Sequence, residues 1–240
     1  MTAQEAIDKN ILTLSNKQSL KKIYNEWYSI IRNDLNEIVE GTTLEIGCGP
    51  SYMDMFIPNL MCTDIVDTAY CEEVLDACGH WDIEDNSLEG IVMVNVLHHL
   101  PNVFAFLENA QRTLKPGGVI SMIEPWNTSF SKVIYKFLHH ERFDPKAKTW
   151  WFDSKDPYYD ANGALPWIVF ERDARHWEYA LKKLKIEKVD VFMPLSYLLT
   201  GGMSKYNLLP ARFYNKLRKF ENIPFVKSQG MFANIKVVKK

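Results

Sequence analysis

The sequence has no excess of charge of either sign. Its 240 residues include 28 Lys and Arg and 30 Asp and Glu, which gives a formal net charge of -2. A protein that binds nucleic acid through its phosphates needs a basic surface that attracts the polyanion. We therefore expect that nucleic acid is not the main partner of this protein.

Long hydrophobic runs are also missing, although 47% of the residues are hydrophobic. No stretch approaches the roughly 20 apolar residues that a membrane-spanning helix needs. The first ten residues, MTAQEAIDKN, lack the basic start and the apolar middle of a secretion signal. We expect a protein that has no transmembrane segment and works in the cytoplasm.

Cysteine is scarce, and none of the four cysteines belongs to a C-x-x-C pair. They are Cys48, Cys62, Cys71 and Cys78. The last two fall in a predicted helix about 10 Å apart along its axis, which is too far for a disulfide. We predict reduced thiols, as in a cytoplasmic protein, and no metal site.

What the sequence does contain is an alternation of strand and helix patterns. The apolar run GIVMVNV at 90–96 is typical of a central strand that is covered on both faces. Shorter strand patterns lie at 42–46, 59–63 and 119–123, and helix patterns lie at 69–77 and 103–114. This order predicts an α/β fold with a doubly wound, Rossmann-like, mostly parallel sheet.

We predict that residues 1–240 form a single domain in four parts. The first part ends with an amphipathic helix that reaches Gly41. The parts are N-terminal helices at 1–40, a core at 41–125, a lid insertion with a helix at 126–185, and C-terminal strands with a connecting helix at 186–240.

The most informative motif is LEIGCG at 44–49. A strand that ends in glycines lets the backbone approach a ligand closely, because a Cβ atom would block that approach. Asp64 follows directly after the next predicted strand, where a carboxylate can accept both hydroxyls of an adenosine ribose. A nicotinamide-dependent oxidoreductase uses the same two elements, so it remains an alternative at this point.

Three further segments complete a pattern. They are Asp82 with Ile83, the run VNVLHHL at 94–100 and the turn LKPGG at 114–118. In this order and spacing the set resembles the class I S-adenosylmethionine-dependent methyltransferase family, closely over residues 40–125 and more loosely to the end of the chain. The resemblance implies S-adenosyl-L-methionine as cofactor and a seven-stranded sheet with an antiparallel last strand.

The resemblance also implies roles for individual residues. Glu45 would hold the methionine amino group, Asp64 the ribose hydroxyls, and Asp82 the adenine edge. The turn residues Gly47, Cys48 and Gly49 would line the cofactor, Ile65 and Ile83 would contact the adenine, and Asn95 and Val96 would contact the methionine end. One departure is that Ser51 stands where the family has its third glycine, and another is the short interval to Asp64, which implies a stunted first helix.

Two residues are candidate bases for a hydroxyl acceptor, namely His98 and Glu124. Both follow predicted strands at the carboxyl end, where ligands bind in such sheets. We expect His139, His140 and Glu141, at the end of a helix, to be solvated or satisfied in the core. The function that follows is methyl transfer to a hydroxyl oxygen of a small or carrier-linked metabolite.

Aromatic residues crowd the aperiodic stretch 141–167, and six of them lie between positions 150 and 167. They are Trp150, Trp151, Phe152, Tyr158, Tyr159 and Trp167. Aperiodic stretches of this length are often functional, so we predict a lid over the acceptor, which could be lipid- or sugar-linked. The alternatives are a cofactor-binding subunit or scaffold without catalysis and the nicotinamide-dependent oxidoreductase.

Overall fold

One mixed β-sheet forms the centre of the computed structural model, which describes residues 2–35, 41–139, 141–156 and 159–240. The strands are β1 (Thr43–Ile46), β2 (Leu60–Asp64), β3 (Glu73–Val74), β4 (Leu88–Val94), β5 (Leu114–Pro125), β6 (Leu184–Phe192) and β7 (Phe232–Lys239). Within the described residues the sheet has seven strands in the order β3-β2-β1-β4-β5-β7-β6. The first five strands in this order pair in parallel, and β7 pairs antiparallel with both neighbours. The predicted seven-stranded sheet with an antiparallel last strand is confirmed.

Helices cover both faces of this sheet. They are α1 (Ala3–Asn16), α2 (Gln18–Leu35), α3 (Val103–Thr113), α4 (Ser129–Leu138), α5 (Leu165–Trp167), α6 (Ala174–Ala180), α7 (Ser196–Thr200), α8 (Tyr214–Glu221) and α9 (Pro224–Lys227). The predicted continuation of α2 through residues 36–40 lies outside the described residues. No helix in the described part of the chain has the length and apolar character needed to cross a bilayer.

Strand β4 shows why the sheet is central. Ile91 and Met93 pack into one apolar cluster with α3, and Val92 packs into the opposite cluster with α2. All three side chains are fully buried. Because successive side chains of a strand point to opposite faces, a continuous apolar run fits a strand with helices on both sides.

The connections beside β2 differ in part from the sequence prediction. Between β1 and β2 there is only a 3₁₀ turn at Met53–Met55, which confirms the stunted first helix. The predicted helix at 69–77 is wrong, because this segment contains β3 instead. The backbone N–H groups of Glu72 and Leu75 donate to the backbone oxygens of Cys62 and Asp64 in β2. These hydrogen bonds with β2 take the place of those that a helix would form.

Candidate active site

The turn after β1 requires glycine at its first position. Gly47 has φ +67°, and a Cβ atom there would lie 2.7 Å from a methyl group of Val96. Gly49 has φ +42° and approaches Asp64 through its backbone. The turn therefore packs against the residues that follow β4, and it forms a backbone cradle at the carboxyl edge of the sheet in which only Asp64 Oδ2, at 4.0 Å, lies near the Cβ position of Gly49.

Asp64 ends β2 beside this cradle and is 6% exposed. The N–H of Gly49 donates to its Oδ2 (3.0 Å) and the N–H of Val66 donates to its Oδ1 (3.1 Å). A carboxylate has about four acceptor positions, so these two donors leave capacity for two hydroxyl groups. Ile65, the next residue, exposes 38% of its surface and offers an apolar contact beside the carboxylate.

Glu45 lies inside the same edge and is almost fully buried. Burial raises the pKa of its carboxyl group to about 8, against the lowering effect of hydrogen bonds from Ser51 and Cys62. Burial also raises the pKa of the Cys48 thiol. A cation that enters the cradle would stabilise the ionised form of Glu45, which the protein alone disfavours.

Helix α2 contributes two tyrosines that the sequence analysis did not assign to the site. The hydroxyl of Tyr24 lies near the side chain of Asn95, which follows β4 with φ +56°. The hydroxyl of Tyr28 lies near Ser51 in the turn after β1. Both tyrosines also pack in the core, so their helical spacing gave no separate signal of a site role.

The structure does not bring Asp82 and Ile83 to this edge. Arg112, near the end of α3, donates to the backbone oxygens of Trp81 (2.8 Å) and Ile83 (2.6 Å). Helix α3 begins at the carboxyl edge after β4 and returns to the amino edge where β5 starts. Asp82 and Ile83, which are predicted to contact the adenine, therefore lie toward the amino ends of the strands, whereas Asp64 lies at the carboxyl end of β2.

Another acidic residue lies where Asp82 was expected. Val74 of β3 is in register with Asp64, and the N–H of Leu75 donates to the backbone oxygen of Asp64. Asp76 follows directly and is exposed, and Ala77 beside it is buried. Asp76 and Ala77 are thus the better candidates for the adenine edge.

The two predicted bases form a buried pair. His98 Nδ1 lies 2.6 Å from Glu124 Oε2, and their side chains are 3% and 0% exposed. The other oxygen of Glu124 accepts from the N–H groups of Val96 (2.7 Å) and Leu97 (2.8 Å). Glu124 therefore orients His98 and is enclosed by protein groups.

A second carboxylate, Glu141, faces the other side of His98. Its Oε2 lies 3.4 Å from His98 Nε2 and 3.8 Å from His139 Nδ1, and its Oε1 lies 3.9 Å from His99 Nε2. The side chain of Glu141 is only 19% exposed. The prediction of a solvated or core-satisfied Glu141 missed this cluster, and His140 lies outside the described residues.

The titratable groups in this cluster shift one another's pKa values. Burial disfavours a charged His98, but the attraction and hydrogen bond of Glu124, together with Glu141, outweigh it and raise the pKa of His98 to about 9. Burial and the neighbouring His98 lower the pKa of His99 to about 4. Burial disfavours a charged Glu141 as well, but the hydrogen bond and charge of His98 hold its pKa at about 2.

The described residues of the stretch 141–167 lie against this cluster. The N–H of Asn162 donates to the backbone oxygen of His98 (2.9 Å), and His99 Nδ1 lies 3.1 Å from the backbone oxygen of Asp160. Both contacts fix the segment at the carboxyl edge of the sheet. The lid over the acceptor is predicted at this same edge.

The aromatic residues of this segment differ in their surroundings. Trp150 packs near Trp177 and donates from Nε1 to Asp173 (2.9 Å), so it helps to hold the segment in place. Trp151 is 57% exposed. Tyr158 lies outside the described residues. A cavity of about 280 Å³ adjoins Trp151, and its lining is Arg142, Ala147, Lys148, Thr149, Trp151, Phe152, Asp153, Asn162 and Leu165.

These features fit an adenosyl cofactor with an amino-acid end. A Cβ atom at Gly49 would meet only Asp64 Oδ2, at 4.0 Å, so the backbone is open there. Asp64 retains acceptor positions, and Ile65 exposes apolar surface beside it. Glu45 offers a buried carboxyl group within the same edge. The chemistry of this donor set matches a ribose, an aromatic base and an ammonium group.

Comparison with known proteins agrees with this fit. Residues 44–122 match the family model described as a methyltransferase domain. The fold is similar to a SAM-dependent methyltransferase from Archaeoglobus fulgidus, at 17% identity over 90% of this chain and 94% of that one, with a TM-score of 0.52. It is also similar to an S-adenosylmethionine-dependent methyltransferase from Mesorhizobium loti, at 15% identity over 88% and 96% of the two chains, with a TM-score of 0.50.

A third solved structure is geranyl diphosphate C-methyltransferase from Streptomyces coelicolor in complex with Mg²⁺, geranyl diphosphate and S-adenosyl-L-homocysteine. Its identity is 11% over 91% of this chain and 81% of that chain, with a TM-score of 0.50. A comparison with curated proteins gives no match. Residues 44–122 thus match a methyltransferase domain, and the chain shares the fold of S-adenosylmethionine-dependent methyltransferases, which supports S-adenosyl-L-methionine as its cofactor.

Proposed function

We propose that this protein transfers the methyl group of S-adenosylmethionine to a hydroxyl oxygen of a small or carrier-linked metabolite. The observation that carries the proposal is the cluster of His98, Glu124 and Glu141 at the carboxyl edge of the sheet. It adjoins Val96, whose N–H donates to Glu124. When bound, the cofactor supplies an electrophilic methyl group on a sulfonium. The protein's own task is to position an acceptor and ease the loss of its proton.

The cofactor would be held along the carboxyl edge of the central strands. Asp64 would bind the ribose hydroxyls, and Glu45 the amino group of the methionine part. The adenine would lie between Ile65 and the pair Asp76 and Ala77. Gly47, Cys48, Gly49, Asn95 and Val96 would line the remaining surface.

The acceptor hydroxyl would meet the cofactor at the cluster. His98 presents Nε2 toward Glu141, and Glu124 fixes its ring from the opposite side. Because both oxygens of Glu124 are occupied by protein donors, Glu124 acts through His98 as a positioning residue. The cluster as a whole makes the proton of the hydroxyl easier to lose.

The cavity beside Trp151 indicates the class of acceptor. Trp151 and Phe152 offer aromatic surface, and Lys148 offers positive charge. Arg142 also lines the cavity and pairs with Asp144 at 2.7 Å. This combination suits a metabolite with an apolar or sugar part and an anionic group, such as a phosphate that links it to a lipid or other carrier. A net charge of -2 argues against nucleic acid as acceptor, and four free thiols fit a cytoplasmic enzyme.

Incubation with methyl-labelled cofactor and a cell extract tests the proposal. We expect mass spectrometry to find the label in a small or carrier-linked metabolite as a methyl ether. A cofactor-binding subunit without catalysis predicts binding of S-adenosylmethionine and no label in any fraction, which would overturn the proposal. Label in nucleic acid or on nitrogen would overturn the assignment of the acceptor.

The remaining alternative, a nicotinamide-dependent oxidoreductase, is disfavoured by the family match. It predicts a change in the fluorescence of reduced nicotinamide cofactor on addition of the protein. We expect no such change.

A further inference from the structure

Three side chains at the acceptor end combine the donor types of a metal site. One ligand atom from each of His98, His99 and Glu141 lies within 4.8 Å of the other two. The histidines follow β4 and Glu141 follows α4, so the two loops meet beside Asn95 and Val96. Two imidazoles and one carboxylate are typical of sites for divalent transition metals.

Both histidines are oriented by an acceptor behind the ring. His98 Nδ1 lies 2.6 Å from Glu124 Oε2, and His99 Nδ1 lies 3.1 Å from the backbone oxygen of Asp160. A proton on each Nδ1 makes Nε2 the atom that can bind a cation, once the charged His98 ring has lost its second proton, and both Nε2 atoms face Glu141. Metal-binding histidines use the same arrangement, which fixes the tautomer and raises the basicity of the ligand atom.

The spacing across the cluster also favours a shared cation. His98 Nε2 is 3.4 Å from Glu141 Oε2, whereas a charge-assisted N–H···O bond is about 2.7–2.9 Å long. Two ligands about 2.0–2.1 Å from a tetrahedral Zn²⁺ are about 3.3 Å apart. His99 Nε2, at 3.9 Å from Glu141 Oε1, needs only a small shift to complete the site.

We propose that His98, His99 and Glu141 bind a divalent transition-metal cation, with Zn²⁺ as the first candidate. Glu124 and Glu141 face the His98 ring from its two sides. A cation of charge +2 that replaces the proton on His98 Nε2 would add positive charge between these two carboxylates and would be attracted by both. Three protein ligands leave a coordination position open, as in catalytic zinc sites. The absence of a C-x-x-C pair, from which no metal site was predicted, carries no information about a site built from histidine and glutamate.

The role of the cation rests on the proposed function, but its binding does not. At the acceptor end it would take an oxygen of the acceptor as a further ligand and lower the pKa of that hydroxyl. The acceptor class is then an alcohol or phenol. The binding itself can be measured in the absence of any acceptor.

The test uses the full-length protein without an affinity tag, freed of metal with a chelator and titrated with Zn²⁺ in a calorimeter. We expect saturation near one Zn²⁺ per chain. Glu141→Gln and His99→Gln should each weaken the binding more than about 100-fold, and Glu124→Gln by about 10–100-fold, because it supports a ligand from behind. His176→Ala removes an exposed histidine elsewhere and should leave the affinity unchanged.

Absence of Zn²⁺ binding by the wild type, or equal affinity in the wild type and both ligand variants, would overturn the cation site. Circular dichroism of each variant checks that it folds. His99 is partly exposed, so His99→Gln can carry the comparison if Glu141→Gln does not fold. Calorimetry with S-adenosylmethionine on the same metal-free protein separates the two proposals, because cofactor binding without Zn²⁺ binding contradicts only the cation site.

Discussion

Replacement of His98 by alanine should lower turnover by about 10²–10⁴-fold, the usual contribution of a positioned acid–base group. His98 is 3% exposed and lies between Glu124 and Glu141 at the acceptor end. The hydrogen bonds to Asp64 come from Gly49 and Val66 and not from His98. The affinity for S-adenosylmethionine should therefore stay close to that of the wild type. The measurement is methyl transfer to the labelled acceptor fraction, with calorimetry of the cofactor in parallel.

Two further variants locate this effect in the cluster. Glu124→Gln keeps an oxygen for the N–H groups of Val96 and Leu97 but removes the charge behind His98, so it should lower kcat more than it changes KM. His176→Ala changes an exposed histidine and should leave turnover unaffected. Full turnover in both His98→Ala and Glu124→Gln would remove the cluster from the mechanism.

Replacement of Glu45 by glutamine should change how stability depends on pH. The folded protein holds the pKa of Glu45 at about 8 because the carboxyl group is buried, whereas an unfolded chain titrates near about 4.3. Between these values the unfolded state binds fewer protons, so wild-type stability falls as pH rises and levels off above about 8. Glu45→Gln lacks this dependence. As pH rises from about 4 to about 9, its free energy of unfolding should therefore rise by about 3–5 kcal/mol relative to that of the wild type.

Chemical denaturation of both proteins across this pH range measures the difference. Glu84→Gln is the matched control, because its carboxylate is exposed to solvent in the folded protein. It should leave the slope of the free energy of unfolding against pH unchanged. S-adenosylhomocysteine should lessen the slope of the wild type, because we place its ammonium group at Glu45. Parallel curves for wild type and Glu45→Gln would show that the buried carboxyl group is already ionised at low pH.

The sequence predicted the fold well where a pattern extends over many residues. The apolar run of β4 and the alternation of strands with α3 and β5 identify a parallel sheet, because burial on both faces demands such a run. The antiparallel last strand came from the family resemblance. Strand β3 has two residues, too few for any periodicity, and was mistaken for a helix.

That error explains the misplaced adenine contact. With a helix assumed at 69–77, the next acidic residue after it is Asp82. With β3 at Glu73–Val74, Asp76 takes that position at the carboxyl edge.

Only part of the cluster at the acceptor end could be predicted from the sequence. His98 and Glu124 follow neighbouring strands, so their approach follows from the topology. Glu141 comes after α4 in a stretch without periodicity, so no sequence pattern predicts its approach to His98. Tyr24 and Tyr28 were hidden for another reason, because a core position and a site position on α2 share the same helical spacing.

Calorimetry of S-adenosylmethionine and S-adenosylhomocysteine with the purified chain tests the central claim most directly. The wild type should bind at Kd values on the order of 1 μM. Asp64→Ala should weaken binding by about 1–3 kcal/mol, because ribose hydroxyls lose a charged partner. Asp82→Ala, at an exposed residue on the opposite edge, should bind like the wild type. No binding by the wild type, or equal affinity in Asp64→Ala, would contradict the assignment of this edge as the cofactor site.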